Sequence, residues 1–82
     1  MDIHQEIRNY ILENFMIGRE NENLADSDSL LSKGIIDSTG VLELVGFLEE
    51  NYQIAVEENE LVPDNLDSIN NLVNYIQNKK GR

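Results

Sequence analysis

The chain has 82 residues and no cysteine, so its length predicts a single domain over residues 1–82, and disulfide bonds, cysteine metal ligands and thiol catalysis are excluded. Sixteen acidic residues face six basic ones, and the formal net charge of −10 makes nucleic acid and anionic membrane surfaces poor partners. No apolar run approaches the roughly 18 residues of a spanning helix. The N-terminus lacks the basic region of a signal peptide, so we expect a cytoplasmic protein. We also expect a monomer.

The acidic residues are unevenly distributed along the chain. No Lys or Arg occurs between Gly34 and Asn78, whereas Asp and Glu recur throughout that stretch. An acidic surface of this kind attracts basic patches on other proteins and speeds encounter with them. The plainer interpretation is that the charge only keeps a small chain in solution.

The first predicted helix runs from about Asp2 to Ile17, where the apolar residues recur every three or four positions. Asp2 and Gln5 have the spacing of a capping box, and Gly18 ends the helix. A long connection follows over residues 18–37. It begins with polar residues and then returns to apolar ones, which predict packing over the helix ends: Leu24, Leu30, Leu31, Ile35 and Ile36.

The second predicted helix runs from Ser38 to Tyr52, with Asp37 as its N-cap. Its apolar residues form one stripe, composed of Val41, Leu44, Val45, Leu48 and Tyr52. Gly40 and Gly46 are weak helix residues. Gly40, in the first turn, indicates a close approach to the backbone, and Gly46 either admits a neighbouring helix or is neutral.

A second connection covers residues 53–67. Ile54 and Val56 are predicted to run extended toward the core, and the glutamates that follow at 57, 58 and 60 are interpreted as a solvated charge run. A short helix is predicted over Pro63–Leu66, because proline suits the first helical position.

The last predicted helix runs from about Ser68 to Gln77, with Asp67 as its cap. Lys79 and Lys80 follow its last turn, where positive charge suits the helix dipole. The chain is therefore predicted to be all-α, a bundle of three main helices plus one short helix with a long first loop.

Hydrolytic and metal chemistry find little support in this sequence. Ser38 lacks the glycine two residues earlier that a nucleophile elbow needs, because Ile36 stands there, and the single histidine, His4, is not marked as its base. The segment from Asp26 begins like a calcium-binding loop, but Leu30 and Leu31 replace a ligand and the glycine. We therefore expect neither an enzyme nor a metal site.

Ser38 remains as a possible point of attachment. An Asp-Ser pair at a helix start is more often an ordinary cap. A phosphodiester on Ser38 would nevertheless lie at a helix N-terminus, where unpaired N–H groups and the helix dipole favour negative charge. The helix that follows exposes only acidic charges, so a basic enzyme would dock along it.

Three segments carry a resemblance to a known family. The stretch from Leu30 to Ser38 resembles the loop and Asp-Ser motif of the acyl carrier protein family. Residues 41–45 resemble the helix after that motif, and residues 67–76 resemble the family's last helix. The similarity covers nearly the whole chain, and it implies an acyl-carrier-like bundle that catalyses nothing itself.

The resemblance also implies a chemistry. Ser38 would carry 4′-phosphopantetheine, transferred from coenzyme A by a phosphopantetheinyl transferase. Its thiol would hold acyl or aminoacyl groups as thioesters for fatty acid, polyketide or nonribosomal peptide biosynthesis. Asp37 would support modification. Glu43, Glu49 and Glu50 would meet basic patches on the transferase, on a loading ligase, and on acyltransferase or synthase partners.

Two positions depart from the family pattern. Thr39 stands where the family usually has Leu or Met, and Gly40 stands where the fatty-acid type often has Asp. These departures favour a specialised carrier over a housekeeping one. Leu42 and Phe47 flank the helical stripe and either line a cleft for an acyl chain or, as we prefer, widen the core face. The rival hypothesis is an acidic helical adaptor without a prosthetic group, in which Ser38 is only a cap.

Overall fold

The computed structural model describes residues 2–19 and 22–81, so Glu20 and Asn21 of the predicted first loop lie outside the described residues. Within them the helices are α1 (Ile3–Phe15), α2 (Ser38–Tyr52), α3 (Pro63–Leu66) and α4 (Ile69–Lys80), with a 3-10 helix at Glu58–Glu60 between α2 and α3. No strand occurs in this part of the chain. The predicted all-α bundle of three main helices and one short helix is confirmed.

The core lies where α1 and α2 meet α4, which contacts α1, α2 and α3. The predicted stripes supply it, and its fully buried helical side chains are Ile7, Ile11, Leu44, Leu48, Ile69, Leu72 and Ile76. Full burial of one such side chain is worth about 1.5–3 kcal/mol. The fold therefore depends on apolar packing around α4, and the described residues include no helix of the length and apolar content that crossing a membrane requires.

The start and end of α1 both differ from the prediction. Asp2 precedes the helix, but its side chain accepts no capping hydrogen bond, and the Gln5 amide donates instead to Asn9 Oδ1 at 3.0 Å. The predicted capping box is therefore wrong. The helix ends at Phe15 rather than Ile17, because Met16 leaves the helical path and is buried with only 1% of its surface exposed.

The bounds of α2 and α3 match the prediction, whereas those of α4 do not. Ser68 is the N-cap of α4, since its hydroxyl accepts a hydrogen bond from the Asn71 N–H at 3.0 Å. The predicted cap at Asp67 is wrong. The helix also continues to Lys80, so Lys79 and Lys80 lie in its last turn rather than after it.

Both connections pack onto the helices. In the first, four of the five predicted apolar anchors are buried, while Leu31 keeps 43% of its surface exposed. In the second, Ile54 and Val56 are half-buried and pack against the core. The predicted solvated run is wrong at Glu60. This side chain is half-buried and accepts hydrogen bonds from the Tyr75 hydroxyl and Lys79 Nζ.

Candidate functional site

Ser38 is the first residue of α2 and is exposed to solvent. Asp37 precedes it in an extended conformation, and Asp37 Oδ1 accepts a hydrogen bond from the Gly40 N–H at 2.8 Å. Asp37 is thus the N-cap, as predicted, and satisfies one of the unpaired N–H groups of the first turn. The Ser38 side chain makes no hydrogen bond within the described residues, so its hydroxyl is not needed to hold the helix.

Gly40 allows α2 to begin against the end of α1. It is buried, and a Cβ atom built there would lie 3.0 Å from Phe15 Cε1. A side chain at this position would displace the Phe15 ring, which gives a packing reason for glycine. Gly46 has no comparable neighbour, because a Cβ atom there would meet nothing within 4 Å.

The backbone before Ser38 is fixed by a turn. The N–H groups of Ile35 and Ile36 both donate to the carbonyl of Leu30, at 2.9 and 3.3 Å. Ile35 and Ile36 are also buried. Gly34 has φ = +70°, a conformation that glycine adopts without the penalty of a side chain. The chain is therefore anchored up to Asp37, and Ser38 follows at the exposed end of the helix.

Arg19, in the loop after α1, reaches this segment. Its Nη1 donates to the carbonyl of Gly34 and its Nη2 to the carbonyl of Lys33, each at 3.0 Å. Nε and Nη2 also contact the Glu22 carboxylate, at 2.6 and 2.9 Å. The hydrogen bond with Glu22 raises the pKa of Arg19, and the same bond lowers the pKa of Glu22. Sequence reasoning did not single out Arg19, because no local pattern pairs it with carbonyls fourteen and fifteen residues away.

The acidic residues proposed for partner binding lie along α2 but are not equivalent. Glu43 and Glu50 are exposed, and within the described residues neither carboxylate accepts a hydrogen bond or forms an ion pair. Glu49 is also exposed, but its Oε2 accepts a hydrogen bond from the Val56 N–H at 2.9 Å. Glu49 therefore contributes to the second connection as well as to the acidic surface.

Leu42 and Phe47 occupy different environments. Leu42 is 64% exposed, so the preferred interpretation of it as a core residue is wrong. Phe47 is half-buried and stacks on Tyr10 of α1, with ring centroids 3.9 Å apart, and it meets Tyr52 edge-on at 6.1 Å. Phe47 thus packs between α1 and α2, in line with the preferred interpretation of it as a core residue.

An apolar cavity that sequence reasoning missed lies between the first connection, the start of α2 and α3. Its volume is about 80 Å³, and its lining includes Leu30, Leu31, Ile36, Val41, Leu61 and Leu66, but neither Leu42 nor Phe47. Val41 is three residues after Ser38, so the cavity lies one helical turn from the serine. Its volume is about half that of the engineered apolar cavity of about 150 Å³ that accommodates benzene.

The other polar groups that the sequence singled out, in the first connection and in α1, pair with neighbouring side chains. Asp26 pairs with Arg8, and Asp28 pairs with Lys33 at 3.1 Å. His4 contacts Asn70 Oδ1. Among the described residues, no three His, Cys, Asp or Glu side chains form a group able to hold a metal ion.

Comparison with known proteins places the chain among carriers. It is 32% identical over 76 residues to the D-alanyl carrier protein of Streptococcus suis, an alignment that covers 93% of this chain and 92% of that protein. It is 33% identical to the D-alanyl carrier protein of Streptococcus mutans over the same shares. It is 26% identical over 78 residues to the probable acyl carrier protein PigG of a Serratia species, covering 95% and 88%. No family model matches the chain.

Identity above 30% over nearly the whole length of both chains, together with the helical bundle and its Asp-Ser helix start, defines a class of protein. The chain belongs to the family of free-standing carrier proteins that includes acyl and D-alanyl carrier proteins. Its role is that of a carrier.

Proposed function

We propose that this carrier holds acyl or aminoacyl groups as thioesters on a 4′-phosphopantetheine arm attached to Ser38 Oγ, in a specialised biosynthetic pathway. The observation that carries the proposal is the state of Ser38. Its hydroxyl is exposed at the start of a 15-residue helix, and Asp37 already caps that helix. In the rival adaptor hypothesis Ser38 is only a cap, and the hydrogen bond from the Gly40 N–H to Asp37 supports the carrier proposal because Asp37 fills that role.

The residues present fit a phosphodiester at this position. The first turn of α2 offers backbone N–H groups and the positive end of a helix dipole, both of which stabilise negative charge near Ser38. When attached, the group supplies a flexible arm with a terminal thiol, the reactive sulfur that a chain without cysteine lacks. The chain's own residues present the serine and bind partners, and none of them is proposed to catalyse a step.

The proposed cargo is small. Two of the relatives are named D-alanyl carrier proteins, which favours an aminoacyl group such as D-alanine, with a short acyl group as the alternative.

The proposed partners are a phosphopantetheinyl transferase, a loading ligase and downstream acyltransferase or synthase enzymes with basic patches. Glu43 and Glu50 support this proposal because they are exposed on the helix that begins with Ser38. Asp37 lies beside the serine, and Glu49 adds a further exposed charge near the end of α2. A basic surface that meets these carboxylates brings the partner onto Ser38.

Incubation with coenzyme A and a broad-specificity phosphopantetheinyl transferase tests the attachment, with intact mass as the readout. We expect the parent chain to gain one phosphopantetheine and Ser38→Ala to gain none. Ser38→Ala should keep its helical circular dichroism, because Asp37 remains as the cap. Ser32→Ala, at an exposed serine of the preceding loop, is the matched control and should be modified like the parent. An unmodified parent with every transferase tried would rule out the proposal.

Charge reversal at Glu43 tests the docking surface. Glu43→Lys should lower kcat/KM of modification several-fold, and more at low salt than at high salt, because screening weakens the attraction of exposed charges. Glu13→Lys places the same charge change on an exposed position of α1 and should have a smaller effect. Equal rates for Glu43→Lys and the parent at both salt concentrations would remove Glu43 from the docking surface.

A further inference from the structure

We infer that Arg19 is a positioning residue for Ser38, which orients the serine by holding the backbone that leads into α2. This inference rests on the proposed attachment at Ser38. Arg19 lies beyond the end of α1, and its two contacts to main-chain carbonyls fall at Lys33 and Gly34, five and four residues before the serine.

The chemistry of the contact is specific to arginine. A guanidinium carries five N–H donors in one plane, and here Nε, Nη1 and Nη2 all donate. The Glu22 carboxylate accepts from Nε and Nη2, along one edge of the guanidinium, at 2.6 and 2.9 Å. This pairing fixes the direction in which the remaining N–H donors point. Arg19 is only about one-third exposed, at 32% of its side chain. A lysine has the charge but not the fork, and it cannot hold Glu22 and both carbonyls together.

The contacts from Arg19 act on the orientation of Ser38 because they fall on the backbone directly before α2. Gly34 has φ = +70° and its N–H donates to the carbonyl of Leu31 at 3.0 Å, so the contact from Arg19 to the Gly34 carbonyl restrains the other end of the same flexible residue. After Gly34, the buried residues Ile35 and Ile36 lead directly to Asp37 and Ser38. A restraint at Gly34 therefore limits the orientations of the start of α2. A loosened start would present Ser38 in several orientations, and fewer encounters would bring its hydroxyl into line for attack.

Arg8 of α1 provides a matched control, because it contacts the same loop. It donates to the carbonyl of Leu24 at 2.7 Å and pairs with the Asp26 carboxylate. It is as shielded as Arg19, with 28% of its side chain exposed. Arg8 thus fastens the first connection to α1, whereas Arg19 joins the two ends of that connection. The part that Arg8 holds lies farther along the chain from Ser38. Loss of Arg8 should loosen the loop without freeing the backbone at Gly34.

The test measures kcat and KM for modification of the full chain with coenzyme A and a phosphopantetheinyl transferase. Arg19→Ala should lower kcat about tenfold with KM within about twofold of the parent, since misplacement of the serine costs rate while the acidic docking helix is unchanged. Arg19→Lys should resemble Arg19→Ala. Arg8→Ala should keep kcat within about twofold of the parent, even if its Tm falls as much as that of Arg19→Ala.

A second readout needs no transferase. Amide hydrogen exchange at Ile35 and Ile36 should be faster in Arg19→Ala than in the parent, and unchanged in Arg8→Ala. Parental kcat and parental exchange in Arg19→Ala would overturn the inference, as would equal losses of kcat in both alanine variants. A parent chain that is never modified would refute the attachment at Ser38, while faster exchange in Arg19→Ala would still support Arg19 as the residue that holds this segment.

Discussion

The two long connections of the bundle are stabilised in opposite ways. In residues 18–37, the positively charged side chain of Arg19 donates to main-chain carbonyls. In residues 53–67, the negatively charged side chain of Glu60 accepts from the Glu57 N–H at 2.9 Å, the Tyr75 hydroxyl at 2.9 Å and Lys79 Nζ at 3.0 Å. The first arrangement fixes a backbone path, and the second joins a connection to the side chains of α4.

This difference separates two tasks. Carbonyls held by Arg19 lie just before Ser38, so the first connection determines how the candidate site is presented. The Glu60 carboxylate brings the 3-10 helix onto α4, around which the core is built, so the second connection determines how firmly the bundle closes. Changes in the first connection should therefore act on loading, and changes in the second should act on stability.

The largest effect on stability is expected from Glu60→Gln. This change keeps the size of the side chain but removes the charge that Lys79 and Tyr75 contact, and Tm should fall by roughly 12 °C at pH 7. Thermal unfolding followed by circular dichroism measures it. Glu58→Gln is the control, because Glu58 is exposed in the same 3-10 helix, and its Tm should match the parent. Modification of Ser38 at 25 °C should proceed at the parental rate in both variants.

The effect of Glu60 should depend on pH. The hydrogen bond from the Glu57 N–H, with those from Lys79 and Tyr75, lowers the pKa of Glu60 from 4.5 to about 2. A depressed pKa means that the contribution is fully present above pH 4.5 and is lost as the pH falls toward 2. The difference in Tm between parent and Glu60→Gln should shrink over that window. A difference that stays constant from pH 7 to 2 would contradict this assignment.

A smaller effect is expected at Asp67, where the two connections meet. Its carboxylate accepts hydrogen bonds from the Ser29 hydroxyl and from the Leu31 N–H, the latter at 2.8 Å. Asp67→Ala leaves both donors without this partner and should lower the free energy of unfolding by about 1.5 kcal/mol. Urea unfolding measures the loss. A variant as stable as the parent would show that water replaces the carboxylate at no cost.

The parts of the fold that were predicted correctly have strong local signals. Asp37 is a good cap directly before an apolar stripe, so the bounds of α2 followed from the sequence. Pro63 marked the start of α3 in the same way. Ser38 was identified as the candidate site because the Asp-Ser pair lies at that helix start, within a longer resemblance to the family.

The parts that were missed depend on contacts between distant residues. Arg19 donates to the carbonyls of Lys33 and Gly34, and Glu60 binds a lysine nineteen residues later. These separations are longer than the helix, cap and turn patterns from which the sequence was interpreted. At the start of α4, two neighbouring residues were both able to cap. Ser68 is the cap, and the Asp67 carboxylate instead accepts hydrogen bonds from Ser29 and Leu31. A local sequence pattern does not contain these distant donors.

The smallest effect is expected from Ser68→Ala, which removes the N-cap of α4. The Asn71 N–H would lose its acceptor, and loss of such a cap costs about 1 kcal/mol. Although Ser68 and Asp67 are adjacent, the two losses should appear in different places. Hydrogen exchange should quicken at the Asn71 amide in Ser68→Ala and at the Leu31 amide in Asp67→Ala. If hydrogen exchange at the Asn71 amide were instead faster in Asp67→Ala, Asp67 would be the cap of α4. Its carboxylate would then not be the acceptor that joins Ser29 and Leu31 of the first connection to the second.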